Sequence, residues 1–191
     1  MRFQGAFPVT TIITTLFVVI ALLLSEITYG TPQKSSGMAK FVQDPPHLAI
    51  PLTSIKDSTG KLISLAQFEG NWLLINFWAT WCAPCVDELP SINRLMKNIK
   101  SPNFKVLLIS IDRGGIPTFL PFLKKLGMSE LQSASDPQAK LMRKLQLTGI
   151  PTTILVSPQG RIVGKLIGNA QWDSEAATKL IRSFTEPDSP K

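Results

Sequence analysis

The stretch "WLLINFWATWCAPCVDELP", residues 72–90, runs from a nearly continuous apolar segment through two cysteines into a mixed apolar and polar pattern. Its first seven residues are aliphatic or aromatic apart from Asn76, as expected of a strand buried on both faces. From Cys85 onward, Val86, Leu89, Ile92, Leu95, Met96 and Ile99 recur at three- and four-residue intervals, with Asp87, Arg94, Lys97 and Asn98 between them. That spacing predicts an amphipathic helix. Cys82 and Cys85, the only cysteines of the chain, therefore fall at a strand-to-helix junction. Pro90 interrupts the helical pattern and is expected to kink it, because it lacks an N–H and crowds the preceding turn.

A second apolar run, "FKVLLISID" (residues 104–112), reads as a parallel neighbour of the first strand. The helix between them has a length suited to a right-handed crossover. Helical patterns follow over residues 118–126 and 137–145, the latter with Asp136 as N-cap and Pro137 at the first helical position. "TTILVS" (152–157), the turn "SPQGR" and "IVGKLIG" (162–168) predict a hairpin, and Asp173 or Ser174 caps a last helix that runs to about Phe184. With a short hairpin around Ile55 and Leu62, the order implies an α/β fold: a central mixed β-sheet flanked by helices, with an added N-terminal β-hairpin.

Residues 3–25 carry no charge and include "TTIITTLFVVIALLL". Residues 1–30 therefore read as an export segment, kept as a membrane anchor or cleaved after Gly30. Residues 31–47, "TPQKSSGMAKFVQDPPH", have no periodicity and are expected to form a flexible tether. The folded domain is placed at 48–185 and a disordered tail at 186–191. Export would put the domain on the periplasmic side of a bacterial inner membrane, or free in the periplasm after cleavage, where thiols tend to be oxidised. The net charge of +7 is scattered, with nothing longer than pairs such as Arg143 and Lys144, whereas a nucleic-acid interface wants a concentrated stripe. No nucleic-acid partner is expected.

Cys82 opens the helix, so its sulfur meets unsatisfied backbone N–H groups at the positive end of the helix dipole. A free thiol titrates near about 8.5, and this setting lowers it. Cys82 is thus the expected attacking sulfur, while Cys85, almost one turn further and on the apolar face, is suited to resolving a mixed disulfide. Glu88 lies three residues beyond Cys85 and admits two readings. It is either a partly buried carboxylate of raised pKa that accepts the Cys85 proton, or a solvated first-turn acid favoured by the dipole.

Other uses of the cysteines fit less well. A disulfide that closes so small a loop stabilises little. Zinc wants four ligands, and beyond the two cysteines the chain offers one histidine, His47. No metal or other cofactor is expected.

With "NFWATWCAPCVDELP" (76–90) and "GIPTTILVSPQGRIVGKLIG" (149–168) both present, residues 49–184 resemble membrane-anchored thioredoxin-like proteins, in particular the TlpA, ResA and cytochrome c biogenesis (DsbE-like) thiol reductase group. "AQWDSEAATKLI" resembles the TlpA branch more than the cytochrome c maturation branch. The resemblance implies a thioredoxin-like fold, Cys82 as nucleophile, Cys85 as resolving cysteine and Glu88 as active-site carboxylate. It also implies a cis proline at Pro151, beside the cysteines, with Ile150 offering its backbone to the substrate. Trp81, Ala83 and Pro84 complete the expected substrate-binding residues. Asn76 stands where cytoplasmic thioredoxins carry a buried aspartate, which shifts the proton-acceptor role to Glu88.

The expected activity is reduction of disulfides in exported proteins, such as apo-cytochrome c or copper-site proteins of a respiratory oxidase, with a membrane thiol donor resupplying electrons. Donation of disulfides is the alternative, since the two directions differ only in reduction potential. A copper(I) chaperone of this type would have a three-residue gap between its cysteines and a late histidine. A peroxidase on this fold would carry threonine where Ala79 stands.

Overall fold

The computed structural model describes residues 37–43, 48–51 and 53–186. The expected export segment, residues 31–36 and 44–47 of the expected tether, and the tail from residue 187 lie outside the described residues. Among those described, no helix is long and apolar enough to cross a membrane.

Eight strands form one sheet: β1 (Phe41–Gln43), β2 (Ser54–Asp57), β3 (Leu62–Ser64), β4 (Trp72–Trp78), β5 (Phe104–Ser110), β6 (Gln132–Ser135), β7 (Thr152–Val156) and β8 (Ile162–Ile167). Their spatial order is β1-β8-β7-β4-β5-β6-β2-β3. β4, β5 and β6 are parallel, and the remaining pairings are antiparallel. The helices are α1 (Ala83–Asn98), α2 (Ile116–Lys125), α3 (Lys140–Lys144) and α4 (Glu175–Thr185).

Alternation along β4 divides the core. Leu73, Ile75 and Phe77 join Leu107, Ile109, Ile154, Leu141 and Met142 on one face. Leu74 and Trp78 join Leu89, Ile92 and Leu95 of α1, Phe119 and Leu123 of α2, and Ile181 of α4 on the other. This period of two puts α1, α2 and α4 on one side of the sheet and α3 on the opposite side. It also turns Asn76 towards α1.

Strands β4 and β5, the crossover helix and both hairpins stand where the pattern predicts them. Helix α1 continues through Pro90 as far as Asn98. Three elements differ from expectation. β6 is read from "QSAS", which has no apolar run; its Ser133, Ala134 and Ser135 are buried because their small side chains fit against a parallel neighbour. α3 starts at Lys140 rather than Pro137, because Ala139 takes a left-handed φ of 48° between them. Asp136 still caps it, its carboxylate accepting from the N–H groups of Lys140, Leu141 and Met142 at 2.8, 3.0 and 3.2 Å. Finally, β1 falls within the expected tether and pairs with β8, Phe41 opposite Leu166, while Met38 is buried. The folded domain thus reaches N-terminal of residue 48.

Gly164 makes this added edge possible. A Cβ there would lie 2.3 Å from the Phe41 ring, so only glycine leaves room for that side chain to cross β8. Gly164→Val is expected to cost about 1–3 kcal/mol by overpacking and to detach β1. Hydrogen exchange should show faster exchange at residues 41–43 with β4 still protected; unchanged protection of β1 would contradict the assignment.

Candidate active site

Cys82 is the N-cap of α1, and its backbone carbonyl accepts from the N–H groups of Cys85 and Val86, each at 3.0 Å. Pro84, the second helical residue, has no N–H, so the first turn offers only the Ala83 N–H beyond those already bonded to backbone. The two sulfurs form a disulfide with an S–S distance of 2.04 Å and Cα atoms 5.3 Å apart. Cys82 is 6% exposed and Cys85 fully buried, an asymmetry that follows from their places at the mouth and on the inner face of α1. Trp81 beside them is 68% exposed, and Ala83 and Pro84 are exposed as well.

Glu88 is 2% exposed, which removes the solvated reading of this residue. Three donors converge on its carboxylate. The Asn76 side-chain amide donates to Oε1 at 2.8 Å; the Ala170 N–H and the Trp172 indole N–H donate to Oε2 at 3.0 and 3.1 Å. Asn76 also donates to Thr153 Oγ1 at 2.9 Å, across the β4–β7 register that pairs the two residues. Burial raises the Glu88 pKa from 4.5 to about 7, and the Ala170, Asn76 and Trp172 hydrogen bonds restrain that rise.

The loop that supplies Ala170 and Trp172 is fastened to α1 at further points. Trp172 N–H donates to Ser91 Oγ at 3.0 Å, and Arg94 pairs with Asp173. Asp173 therefore serves this clasp, and Ser174 caps α4 by accepting from the Ala177 N–H at 3.2 Å.

The Ile150–Pro151 bond is cis, and Pro151 is buried with Ile150 half-buried. Phe77 pairs with Thr152, so Pro151 immediately precedes β7 at the end of the sheet where β4 leads into Cys82. Register thus brings the cysteine loop and the proline loop to one end of adjacent strands.

Three contributors went unseen in the sequence: Ala170, Trp172 and Asp112. The 2% exposed Asp112 accepts from the Thr80 N–H at 3.1 Å and Thr80 hydroxyl at 2.7 Å, and from Ser110 Oγ at 2.8 Å, so it ties the loop before Cys82 to the end of β5. Trp172 sits within "AQWD", a visible motif, but its partner lies 84 residues away and only the fold pairs them.

Comparison with known proteins agrees with this architecture. The thiol-disulfide oxidoreductase ResA of Bacillus subtilis is 28% identical over 114 residues, which make up 60% of this chain and 63% of ResA, so the match spans less than two thirds of that relative. A thiol-disulfide oxidoreductase structure from Bacteroides fragilis aligns with a TM-score of 0.60 at 28% identity, over 71% of this chain and 98% of that one. The thioredoxin domain of a thiol-disulfide oxidoreductase from Bacteroides vulgatus aligns with a TM-score of 0.64 over 75% and 99% of the two chains; at 21% identity it speaks for the thioredoxin-like fold alone. The AhpC/TSA family model matches residues 46–165, most of the folded domain and both cysteines, and the chain belongs to that family.

Proposed function

We propose that this protein is a thiol:disulfide oxidoreductase that reduces disulfides of exported proteins through Cys82 and Cys85. The observation that carries the reading is a protonatable carboxylate buried one helical turn beyond a fully buried cysteine. In the reduced protein the Cys82 thiolate attacks one sulfur of a client disulfide, forming a mixed disulfide and releasing one client thiolate, which takes up a proton. Cys85 then gives its proton to Glu88 and attacks the Cys82 sulfur. The second client sulfur leaves as a thiolate that takes up a proton, Glu88 gives up the proton it accepted, and the Cys82–Cys85 disulfide remains. Two electrons pass to the client, and a membrane thiol donor returns them.

Solvent exclusion at Cys85 is why an internal base matters, since no bulk water is at hand to take its proton. A carboxylate with a pKa near 7 takes and releases a proton readily at neutral pH. Asn76 suits both states of Glu88. Its Nδ2 donates to the carboxylate, and a half-turn of the amide would instead present Oδ1, otherwise without a partner, to a protonated Glu88. Trp81, Ala83, Pro84, Ile150 and Pro151 form the platform for the client chain. Residues 1–30 act as export signal and anchor and place the domain on the periplasmic side of the membrane, where apo-cytochrome c and oxidase copper-site proteins are the clients suggested by resemblance to the TlpA and ResA group.

Replacing the resolving cysteine tests the assignment directly. Cys85→Ser should accumulate a mixed disulfide on Cys82 that mass spectrometry locates, and Cys82→Ser should accumulate none; capture through Cys85 would reverse the roles.

Removing a donor from Glu88 disfavours its ionised form. Trp172→Phe should move the pH profile of the resolving step by about one unit to higher pH, since one unit corresponds to about 1.4 kcal/mol and a hydrogen bond to a charged group to about 1.5–3. An unmoved profile, with folding intact by circular dichroism, would remove Trp172 from the proton-transfer machinery.

The same raised pKa links to stability. Between pH 4.5 and about 7 the folded state holds a proton at Glu88 that the unfolded state has lost, so stability falls as pH rises through that window and then levels off. The loss should amount to about 3 kcal/mol. Urea unfolding of oxidised protein across that range should show the slope, and Glu88→Gln should flatten it.

A further inference from the structure

Helices α2 and α3 follow the neighbouring parallel strands β5 and β6 but pack on opposite faces of the sheet, α2 through Phe119 and Leu123 and α3 through Leu141 and Met142. The two connecting loops must therefore part, and a crevice opens at the carboxyl ends of the strands. That crevice is a cleft of about 1060 Å³, and it extends to Thr80 and Trp81, the residues that lead into Cys82. Its volume is at the upper end of ligand-sized clefts, about 300–1,000 Å³.

The exposed charge in the cleft is positive. Its charged lining residues are Arg113, Arg143 and Asp112. Asp112 is 2% exposed and its oxygens are taken by Thr80 and Ser110, whereas both arginines are exposed. Arg143 is steadied by one bond from Nη1 to the Gln138 carbonyl and keeps its other N–H groups for a ligand. A smaller hollow shares Pro137 and Gln138 with the cleft and adds Lys56 and Lys140, while its own acid, Asp136, is buried and spent on capping α3. A basic strip thus leads away from the exposed Trp81. Guanidinium groups bind carboxylates through paired N–H donors, and an exposed indole face accepts an extended chain.

We propose that this cleft receives an acidic stretch of the client polypeptide next to its reactive disulfide, with Arg113 and Arg143 binding its carboxylates. The proposal rests on the thiol–disulfide reading above and adds to it a rule of client choice. Such a contact orients the client disulfide towards Cys82 and speeds encounter, an effect that salt weakens.

The test uses the reduced full-length protein and synthetic peptides with one internal disulfide, identical except that the four residues flanking the cysteines are all Glu or all Gln. At low ionic strength the Glu peptide should be reduced about tenfold faster than the Gln peptide, and the ratio should shrink at high salt. The double variant Arg113→Gln with Arg143→Gln should bring the low-salt ratio close to one. Lys124→Gln with Lys125→Gln, an equal loss of charge at the end of α2 outside the cleft, should preserve it, which separates the cleft from general attraction to a basic protein. A ratio near one in the unaltered protein, or a ratio that survives loss of both arginines, overturns the proposal while the redox reading stands. Failure to reduce any of the peptides overturns the redox reading and the proposal with it.

Discussion

The buried carboxylate of Glu88 is the constraint around which the active end of this domain is arranged. Its donors come from β4, from the backbone of the loop after β8, and from an indole in that same loop. Each brings to α1 a part of the chain that hydrophobic packing alone would leave free to slide. An unpaired buried acid costs several kcal/mol, so the three donors are conditions for the fold as much as for the chemistry. The loop at residues 169–173 is consequently held to the helix by hydrogen bonds at Glu88 and Ser91 and by the ion pair of Arg94 with Asp173.

Strand β4 makes that arrangement possible through its period of two. Leu73, Ile75 and Phe77 face one core and Leu74 and Trp78 the other, so Asn76 points at the helix that carries the cysteines. A shift of one residue in register would send Asn76 to the wrong face and leave Glu88 without a donor. The parallel pairing with β5 over seven residues and the antiparallel pairing with β7 over five prevent it. The same pairings bring Pro151 to the end of the sheet where Cys82 begins α1. One register therefore positions thiol, acid, amide and proline together.

Local signals in the sequence were enough for the parts of the fold built from long apolar periods: β4, β5, α1, the β7–β8 hairpin and α4. They also placed both cysteines and narrowed Glu88 to two readings. What stayed hidden depends on contacts between distant segments. β6 has no hydrophobic signature, because "QSAS" is a strand by virtue of the neighbour it joins. β1 is three residues long and is held by β8 and by the space above Gly164. The burial of Glu88 was undecidable from spacing on α1, since the donors that make it tolerable are 82 and 84 residues downstream or 12 upstream. Basic residues that look scattered along the chain, Lys56, Arg113, Lys140 and Arg143, line two adjoining hollows once β5, β6 and β2 stand side by side.

Stability alone gives no reason for an acid at position 88. A leucine-sized side chain there would bury apolar area at a gain, whereas the carboxylate ionises only against a desolvation cost that its three hydrogen bonds offset in part. Domains have only about 5–15 kcal/mol of net stability, so a cost of about 3 kcal/mol near neutral pH is a substantial fraction. It falls one helical turn beyond the fully buried Cys85, which under the proposed reaction loses a proton with no bulk water to receive it. The same low polarity that makes the carboxylate expensive brings its pKa to about 7, so the cost to folding and the fitness for proton transfer have one physical origin. Packing the site better with an apolar residue would gain stability and would leave Cys85, in the reaction proposed here, without a base.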